Sequence, residues 1–252
     1  MAEEPISGPS LVGTIRRWWK ENSSPDGFFL TLKRFVSLLW EFTRESTPSR
    51  RRQRYGDVEY DWDFRVDTTG ATVGWRDRLL GHFHSPYQPT EPALFREMLE
   101  SLTLASPNFA FREFTFIDIG SGKGRALLMA ADYPFRRILG VELLPELHRV
   151  ARENIGKFKS DLQRCFTIDC ILGDASEFVF PPEPTVLYLF NPLPASGLAR
   201  MLRNLESSLR EHPRPVFVLY HNALLEPVLT QSADFTKIAG NGLFSIFASA
   251  GL

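Results

Sequence analysis

Residues 115–124 read TFIDIGSGKG, a short apolar run followed by three glycines in the spacing Gly-x-Gly-x-Gly. The next seven residues, RALLMAA at 125–131, are mostly strong helix formers. This succession predicts a strand, a tight turn and a helix, the arrangement in which α/β proteins present backbone and a helix N-terminus to a ligand. Glycine suits such a turn because the backbone needs dihedral angles that β-carbons disfavour, and because the ligand comes close to the chain.

The spacing of these glycines differs from that of the dinucleotide-binding motif, Gly-x-Gly-x-x-Gly. Counted from Gly120, the third glycine of that motif would fall on Arg125. Asp118 stands two residues before the first glycine. Its carboxylate would repel a pyrophosphate and attract a cation. The residues therefore favour a cationic ligand over a dinucleotide.

The pattern Asp-x-Gly-x-Gly-x-Gly resembles motif I of the class I S-adenosylmethionine (SAM) methyltransferases. The resemblance implies that SAM is the cofactor and that the backbone around Gly120, Gly122 and Gly124 carries its methionine portion. It also implies that Asp118 holds the positive amino group of SAM through water.

An acidic residue, Glu142, ends the second apolar run at 137–141. A carboxylate at the end of the second strand, roughly 20 residues after the glycine loop, is placed to accept hydrogen bonds from two ribose hydroxyls. The alternative is that Glu142 caps the helix that the pattern predicts to begin at Pro145 and to run to Ile155.

A second acidic residue, Asp174, follows the third apolar run at 166–171. The resemblance to class I methyltransferases implies that Asp174, with Ala175 after it, meets the adenine amino group. The alternative is that Asp174 is the N-cap of a short helix that ends near Phe178.

The fourth apolar run, TVLYLF at 185–190, leads into Asn191-Pro192-Leu193-Pro194. A continuous apolar run suits a central parallel strand that is buried on both faces. The tetrapeptide resembles the Asn/Asp-Pro-Pro-aromatic motif of amino-directed nucleic-acid methyltransferases, in which the aromatic ring stacks on a flipped base. Leu193 and Pro194 replace the second proline and the aromatic residue, which weighs against a base as substrate. Asn191 is therefore either a catalytic or substrate-orienting residue or the start of a proline-rich turn. At this strand end we also count Asn191 among the residues predicted to contact the cofactor.

The fifth predicted strand, at 215–220, ends in Tyr220 and is followed by His221. An amine that accepts a methyl group must arrive unprotonated, whereas a model lysine has a pKa of about 10.4 and is protonated at neutral pH. The site must desolvate that amine or offer it an acceptor. We interpret Asn191, Tyr220 and His221 as candidate catalytic residues, because at neighbouring strand ends they could supply acceptors or a proton relay.

The last third of the sequence completes the predicted fold. Residues 201–209 form an amphipathic helical pattern, and the runs 235–238 and 243–248 predict a hairpin with a Gly/Asn turn. An open parallel sheet that finishes with an antiparallel hairpin is the class I methyltransferase layout. We therefore expect an α/β, Rossmann-like fold with a seven-stranded, mostly parallel sheet, and the resemblance covers about residues 86–252.

Upstream of the glycine loop, Tyr87-Gln-Pro-Thr90 resembles the lead-in of the seven-β-strand protein-lysine methyltransferases. That resemblance implies that Tyr87 and Thr90 contact the methionine end of SAM. The alternative is that Thr90 is only the N-cap of a helix predicted from Pro92 to Leu102. Residues 54–90 as a whole also look like a group of bacterial class I methyltransferases of unassigned substrate.

Residues 1–54 form a predicted helical and basic extension before the methyltransferase domain, which we place at 55–252. They hold ten Lys or Arg against six Asp or Glu. Residues 28–42 read as one amphipathic helix, too short and too charged to span a bilayer. That helix could pack on its own domain, bind a partner or lie on an anionic membrane.

The bulk composition bounds the other function classes. A formal net charge of −1 does not favour nucleic acid as a partner. The chain opens Met-Ala-Glu-Glu, which does not resemble a signal peptide, and its two cysteines predict neither a disulfide framework nor a zinc site. The histidines show no metal-ligand spacing, so we expect no metal. Because the two cysteines suggest no disulfide framework, we expect a cytoplasmic location, with peripheral membrane contact through 28–42 as an open alternative.

The sequence thus predicts a SAM-dependent methyltransferase that acts on nitrogen, with a protein lysine or a small molecule as acceptor. Two alternatives stay open: an enzyme that methylates a nucleic-acid amino group, and a non-catalytic nucleotide-binding or membrane-recruited scaffold with the same fold. The acceptor and the oligomeric state are not specified by the sequence.

Overall fold

The computed structural model describes residues 58–69 and 89–250. In these ranges one seven-stranded sheet has the order β3-β2-β1-β4-β5-β7-β6. The strands are β1 Thr115–Ile119, β2 Arg137–Glu142, β3 Ile168–Leu172, β4 Thr185–Leu189, β5 Val216–His221, β6 Phe235–Gly240 and β7 Phe244–Ser249. Strands β1 to β5 are parallel, and β7 pairs antiparallel with both β5 and β6. The predicted fold class, with its C-terminal antiparallel hairpin, is confirmed.

Six α-helices lie in the described ranges, and we number them in chain order. They are α1 Val58–Phe64, α2 Pro92–Ala105, α3 Arg125–Ala130, α4 Pro145–Lys157, α5 Ala195–Glu211 and α6 Glu226–Thr230. None of the helices in this part of the chain has the length and apolar content that crossing a bilayer requires.

Most element boundaries agree with the sequence to within two residues, and α5 is the main exception. It begins at Ala195, six residues before its predicted start at Met201. Gly197 lies in this first turn. A β-carbon built on Gly197 would lie 3.4 Å from Leu193 and 3.3 Å from Pro194. The glycine lowers local helix propensity, but it lets the turn before α5 pack closely on the helix.

Two apolar cores cover the two faces of the sheet. One includes Phe95, Met98 and Leu102 of α2 together with Phe116 and Tyr188 of the central strands. In the other core, α5 packs against the strand residues that alternate with Phe116 and Tyr188 and so face the opposite side of the sheet. All residues of β1 and β4 are buried, as a central parallel strand requires, whereas the edge strand β3 exposes three of its five residues.

The parallel register aligns the carboxyl ends of the strands at one edge of the sheet. Ile119 of β1 pairs with Val141 of β2 and with Leu189 of β4. The chain moves from β1 outward to β2 and β3, then returns to the other side of β1 at β4. Ligands of open α/β sheets bind outside the carboxyl ends at such a reversal of strand order.

Several predictions concern residues outside the described ranges. The extension at 1–54, its helix at 28–42, the domain boundary near residue 55 and the side chain of Tyr87 all lie there. These stay predictions.

A close approach between β2 and the turn after β1 depends on Gly140. A β-carbon built on Gly140 would lie 2.7 Å from both Ser121 Oγ and Leu127 Cδ1. Both neighbours are buried, with 5% and 0% of their surfaces exposed, so neither can move aside without disturbing the core.

We expect Gly140→Ala to lower the free energy of unfolding by roughly 1–3 kcal/mol, the usual cost of overpacking a core. Urea unfolding followed by circular dichroism measures this change. Gly156→Ala is the matched control, because no atom lies within 4 Å of a β-carbon built there, near the end of α4. That control should raise the unfolding free energy by about 0.5–1 kcal/mol, as alanine does in place of helical glycine. Equal effects at the two positions would contradict the role of Gly140.

Candidate functional site

The glycine loop between β1 and α3 has the backbone conformation that its sequence predicts. Gly120, Gly122 and Gly124 have φ values of 75°, 55° and 86°. A β-carbon on Gly120 would also lie 2.6 Å from Cβ of Pro192. The turn after β4 therefore packs directly on the loop after β1, and the two lie at the same reversal of strand order.

Several amides of this loop already donate hydrogen bonds within the protein. The Gly120 and Ser121 amides donate to Val141 O, at 2.8 and 3.1 Å, and the Gly124 amide donates to Ser121 O at 2.8 Å. The Gly122 amide donates to Glu142 Oε2 at 2.7 Å. These four amides are therefore already paired within the protein.

Asp118 presents a buried carboxylate near the end of β1. Only 4% of its surface is exposed. Within the described part of the chain, no donor forms a hydrogen bond with this carboxylate. Burial, and then the nearby carboxylate of Glu142, raise the pKa of Asp118 well above its usual range. A cation that entered this site would oppose both effects, because a nearby positive charge favours the ionised form of a carboxyl group.

Glu142 joins the end of β2 to the glycine loop. Its Oε2 accepts from the Gly122 amide, and its Oε1 accepts from the Leu144 amide at 2.8 Å. Burial raises the pKa of Glu142, and these backbone hydrogen bonds partly offset the rise. Each oxygen keeps a further lone pair that a hydroxyl group could use. The alternative that Glu142 caps α4 is wrong, because the N-cap is Leu144 and no side chain caps that helix end.

Asp174 lies at the end of β3, as predicted. It is the N-cap of a 3₁₀ turn at Ala175–Glu177, and its Oδ1 accepts from the Ser176 amide at 2.8 Å. The structural alternative for Asp174 is therefore confirmed. Ala175 is buried beside it, and contact of these two residues with adenine stays a prediction.

Thr90 makes its main contact with the sheet and does not cap α2. The N-cap of α2 is Glu91, and the helix begins without a side-chain cap. The Thr90 hydroxyl lies 2.7 Å from the Tyr188 hydroxyl, in a buried pair. The alternative that Thr90 is the N-cap of α2 is therefore wrong.

Tyr188 links Thr90 to His221 and was not recognised from the sequence. Its hydroxyl lies 3.0 Å from His221 Nδ1, and its backbone pairs with Asp118 across β1 and β4. Burial raises the pKa of Tyr188 well above its usual range, and Asp118 adds to this rise, so the phenol stays protonated. In the sequence Tyr188 is one aromatic residue within an apolar run, and the usable signal would have been a polar tip in a fully buried strand.

His221 lies in a mainly apolar environment at the end of β5. Its ring stacks on Phe190 with the centroids 3.8 Å apart, and 8% of the residue is exposed. Burial lowers the pKa of His221 to about 4. The imidazole is therefore neutral near pH 7 and retains one nitrogen lone pair.

Asn191 and Tyr220 form a second group. Asn191 has a φ of 46°. Its Oδ1 accepts from the Tyr220 hydroxyl at 3.0 Å, and its Nδ2 donates to Asn222 O at 2.7 Å. Tyr220 belongs to the apolar core that packs on α5, whereas Tyr188 belongs to the core that packs on α2. The three predicted catalytic residues are thus divided: Asn191 contacts Tyr220, and His221 contacts Tyr188.

Other common reaction types find little support among the described residues. In residues 58–69 and 89–250, no group of three His, Cys, Asp or Glu could hold a metal ion. Burial raises the pKa of Cys170 to about 12 and also raises the pKa of Cys165. Neither thiol is therefore activated as a thiolate nucleophile.

Comparison with known proteins gives distant structural neighbours alone. No protein-family model and no curated protein matches the chain. A ribosomal protein L11 methylase from Lactobacillus delbrueckii subsp. bulgaricus is 18% identical over 60% of this chain and 77% of its own, with a TM-score of 0.42. An RNA methyltransferase from Salinibacter ruber, in complex with S-adenosyl-L-homocysteine, is 23% identical over 64% and 92%, with a TM-score of 0.38. A magnesium protoporphyrin IX methyltransferase from Synechocystis, with bound SAM, is 13% identical over 79% and 93%, with a TM-score of 0.44.

These TM-scores lie below 0.5. We therefore assign the fold from the strand order, and we infer function from the geometry of the site.

The lowered pKa of His221 predicts a specific pH dependence of stability. Between pH 6.5 and about 4 the unfolded chain takes up a proton on this residue while the folded chain does not. The stability of the wild type relative to His221→Gln should therefore fall as the pH decreases through this interval, and should be constant above it. Urea unfolding from pH 4.5 to 8 measures the difference.

His212→Gln is the control, because His212 is an exposed histidine. If the difference in stability between the wild type and His221→Gln stayed constant across the whole pH range, the imidazole of His221 would not be desolvated.

Proposed function

We propose that this protein is a SAM-dependent methyltransferase whose cofactor lies at the carboxyl ends of β1, β2 and β4. One observation carries the proposal: the Asp118 carboxylate is buried beside Glu142 without a hydrogen-bond donor from the described residues. Two buried carboxylates at a reversal of strand order favour a ligand that is both cationic and hydroxylated. SAM carries an amino group, a sulfonium and a ribose.

The residues at the strand ends fit this ligand. Asp118 would hold the amino group, through water. Glu142 would accept hydrogen bonds from the ribose hydroxyls with the lone pairs that Gly122 and Leu144 leave available. Asp174 and Ala175 would meet the adenine amino edge.

The methionine end of the cofactor would extend toward the segment before α2. Thr90, whose hydroxyl contacts Tyr188, would border it there. Tyr87 would also contact this end, and it lies outside the described residues.

SAM supplies a methyl group bound to a sulfonium, which is already a good leaving group. The main task of the protein is then to hold the acceptor in line with that methyl carbon, an effect worth up to about 7–11 kcal/mol. Neutral His221 could accept a hydrogen bond from the amine that is to be methylated. Asn191 Oδ1, held in place by Tyr220, could do the same through its second lone pair.

We propose nitrogen as the atom that is methylated, with a protein lysine or a small molecule as acceptor. The two neutral hydrogen-bond acceptors, His221 and Asn191, lie in a buried environment, which favours an unprotonated amine over a charged one. A nucleic-acid base is less well supported as the methyl acceptor. Leu193 and Pro194 stand where the nucleic-acid methyltransferases have proline and an aromatic residue, and the net charge of the chain is −1. Contact of residues 28–42 with a membrane stays a prediction.

The first test measures binding of S-adenosylhomocysteine by calorimetry and by thermal unfolding. The wild type should bind and be stabilised, because a ligand of the folded state adds to its stability. Asp118→Asn and Glu142→Gln should each weaken binding by roughly 10- to 100-fold, since each loses a hydrogen bond to a charged group.

Asp169→Asn is the matched control, because it makes the same change at an exposed carboxylate of β3. Failure of the wild type to bind would overturn the proposal. Unchanged affinity in both site variants would refute their assigned roles while leaving the cofactor in place.

The second test identifies the acceptor. Cell extract is incubated with the protein and SAM labelled in the methyl group, and the label is partitioned among protein, nucleic acid, lipid and small molecules. We expect label in methyl-lysine or in a small amine. Label in nucleic acid would overturn the proposed acceptor, and no transfer to any fraction despite cofactor binding would favour the scaffold alternative.

Asn191→Ala should lower the rate of transfer about a hundredfold, the cost of a misplaced reacting group. Its affinity for S-adenosylhomocysteine should change much less than that of the Glu142 variant, because the main role proposed for Asn191 is to orient the acceptor. Equal losses of affinity and rate would show that Asn191 contacts the cofactor and has no separate role toward the acceptor.

A further inference from the structure

A polar network joins residues 61–69 to the glycine loop, which lies more than fifty positions later in the sequence. We call this network the glycine-loop clamp. Its members are Asp61, Asp67, Thr68, Thr69, Lys123, Arg125 and Asn154. None of them was singled out as functional in the sequence.

Asp61 folds the chain back after α1. Its Oδ2 accepts from the amides of Thr68 and Thr69, at 2.9 and 2.8 Å. Its Oδ1 accepts from the Thr68 hydroxyl. One carboxylate thus fixes the backbone of the two residues that face the glycine loop.

Arg125 is the first residue of α3 and extends toward this turn. Only 2% of it is exposed. Its Nε donates to Thr68 Oγ1 at 2.8 Å, and its Nη2 lies 3.7 Å from Asp61 Oδ1. The guanidinium also lies over the ring of Tyr60, 4.6 Å from the centroid. A cation at a helix N-terminus opposes the helix dipole, and Asp61 offsets that cost.

Lys123 holds the middle of the glycine loop. Its Nζ donates to Asp67 Oδ1 at 2.6 Å and to Thr69 O at 2.7 Å. Only 7% of Lys123 is exposed, whereas the Asp67 side chain is 66% exposed. The buried lysine is therefore fixed by a partner that reaches in from the surface.

Asn154 of α4 closes the network. Its Nδ2 donates to Asp67 O at 2.8 Å and to Lys123 O at 2.9 Å, while its Oδ1 accepts from the Asp67 amide at 2.9 Å. Asn154 is 1% exposed, so its amide is committed to these backbone groups. It binds the early segment and the glycine loop to the same helix.

We propose that Asp61, Lys123, Arg125 and Asn154 are positioning residues of the cofactor site, so that cofactor affinity depends on the segment 58–69. The inference rests on the proposed function. Gly122 and Gly124, on either side of Lys123, have positive φ, and glycines without restraint sample many conformations. The Gly122 amide in turn holds Glu142 Oε2. The clamp therefore pre-organises both the loop and the carboxylate assigned to the ribose, which lowers the entropic cost of binding.

The test compares clamp variants with matched variants at the opposite end of the sheet. Lys123→Met removes the ammonium and keeps a long side chain, and Asp67→Asn changes an exposed partner without risk to the core. The controls are Arg137→Met and Glu183→Gln, because that ion pair is 2.6 Å long, part-buried and lies at the amino ends of β2 and β4. For each protein, calorimetry gives the affinity for S-adenosylhomocysteine, and thermal unfolding gives the stability.

The clamp variants should bind S-adenosylhomocysteine roughly tenfold more weakly, within the usual range of coupling between sites. The controls should bind like the wild type even where they lose as much thermal stability. Amide hydrogen exchange without ligand should be faster in residues 120–128 of the clamp variants and unchanged there in the controls. A purely structural role would not produce this separation between affinity and stability.

The possible failures are distinguishable. Wild-type protein that does not bind S-adenosylhomocysteine overturns the proposed function, and the inference with it. Wild-type protein that binds, with clamp variants within about twofold of it, overturns the inference alone, since independent sites add to within a few tenths of a kcal/mol. Equal losses of affinity in clamp and control variants also overturn it.

Discussion

The hydrogen bond from the Gly122 amide to Glu142 Oε2 is the contact on which the geometry of the site depends. It joins the loop after β1 to the end of β2. Three other features hold the same loop: Gly140 lets Ser121 approach β2, Pro192 packs against Gly120, and Lys123 attaches the segment at 61–69. These contacts restrain the loop, and the restraint keeps the carboxyl groups of Asp118 and Glu142 buried near each other although burial raises the pKa of both.

Features that depend on local pattern could be predicted from the sequence, and features that depend on distant partners could not. The continuous apolar run of β4 and the glycine spacing after β1 required no knowledge of the fold, and both are confirmed. The contact of the Thr90 hydroxyl with Tyr188, 98 residues later, could not be predicted, and the sequence offered only a cofactor contact or an N-cap for Thr90. Lys123 and Asp67 are likewise 56 residues apart. No periodicity links such pairs, because the backbone brings them together only after the sheet has formed.

The separation of Tyr220 from His221 has a simple geometric cause. Neighbours along a strand point to opposite faces of a sheet, so two residues that are adjacent in the sequence lie in different surroundings. Tyr220 reaches Asn191 on the side of α5, and His221 reaches Tyr188 on the side of α2. An apparent cluster of candidate catalytic residues is thus two hydrogen-bonded groups. In the proposed enzyme, the group with Tyr188 lies on the side of Asp118, and the group with Asn191 approaches from the turn after β4.

The contact between Arg125 and Asp61 also defines where a self-sufficient unit of this protein must begin. A chain shortened to start at α2 would keep every strand and five of the six helices described, and by inspection of the sheet it would look complete. It would nevertheless deprive the buried guanidinium of Asp61 and Thr68, and removal of one partner from a buried charge is costly. Residues 58–69 therefore belong to the folding unit although they contribute no strand to it.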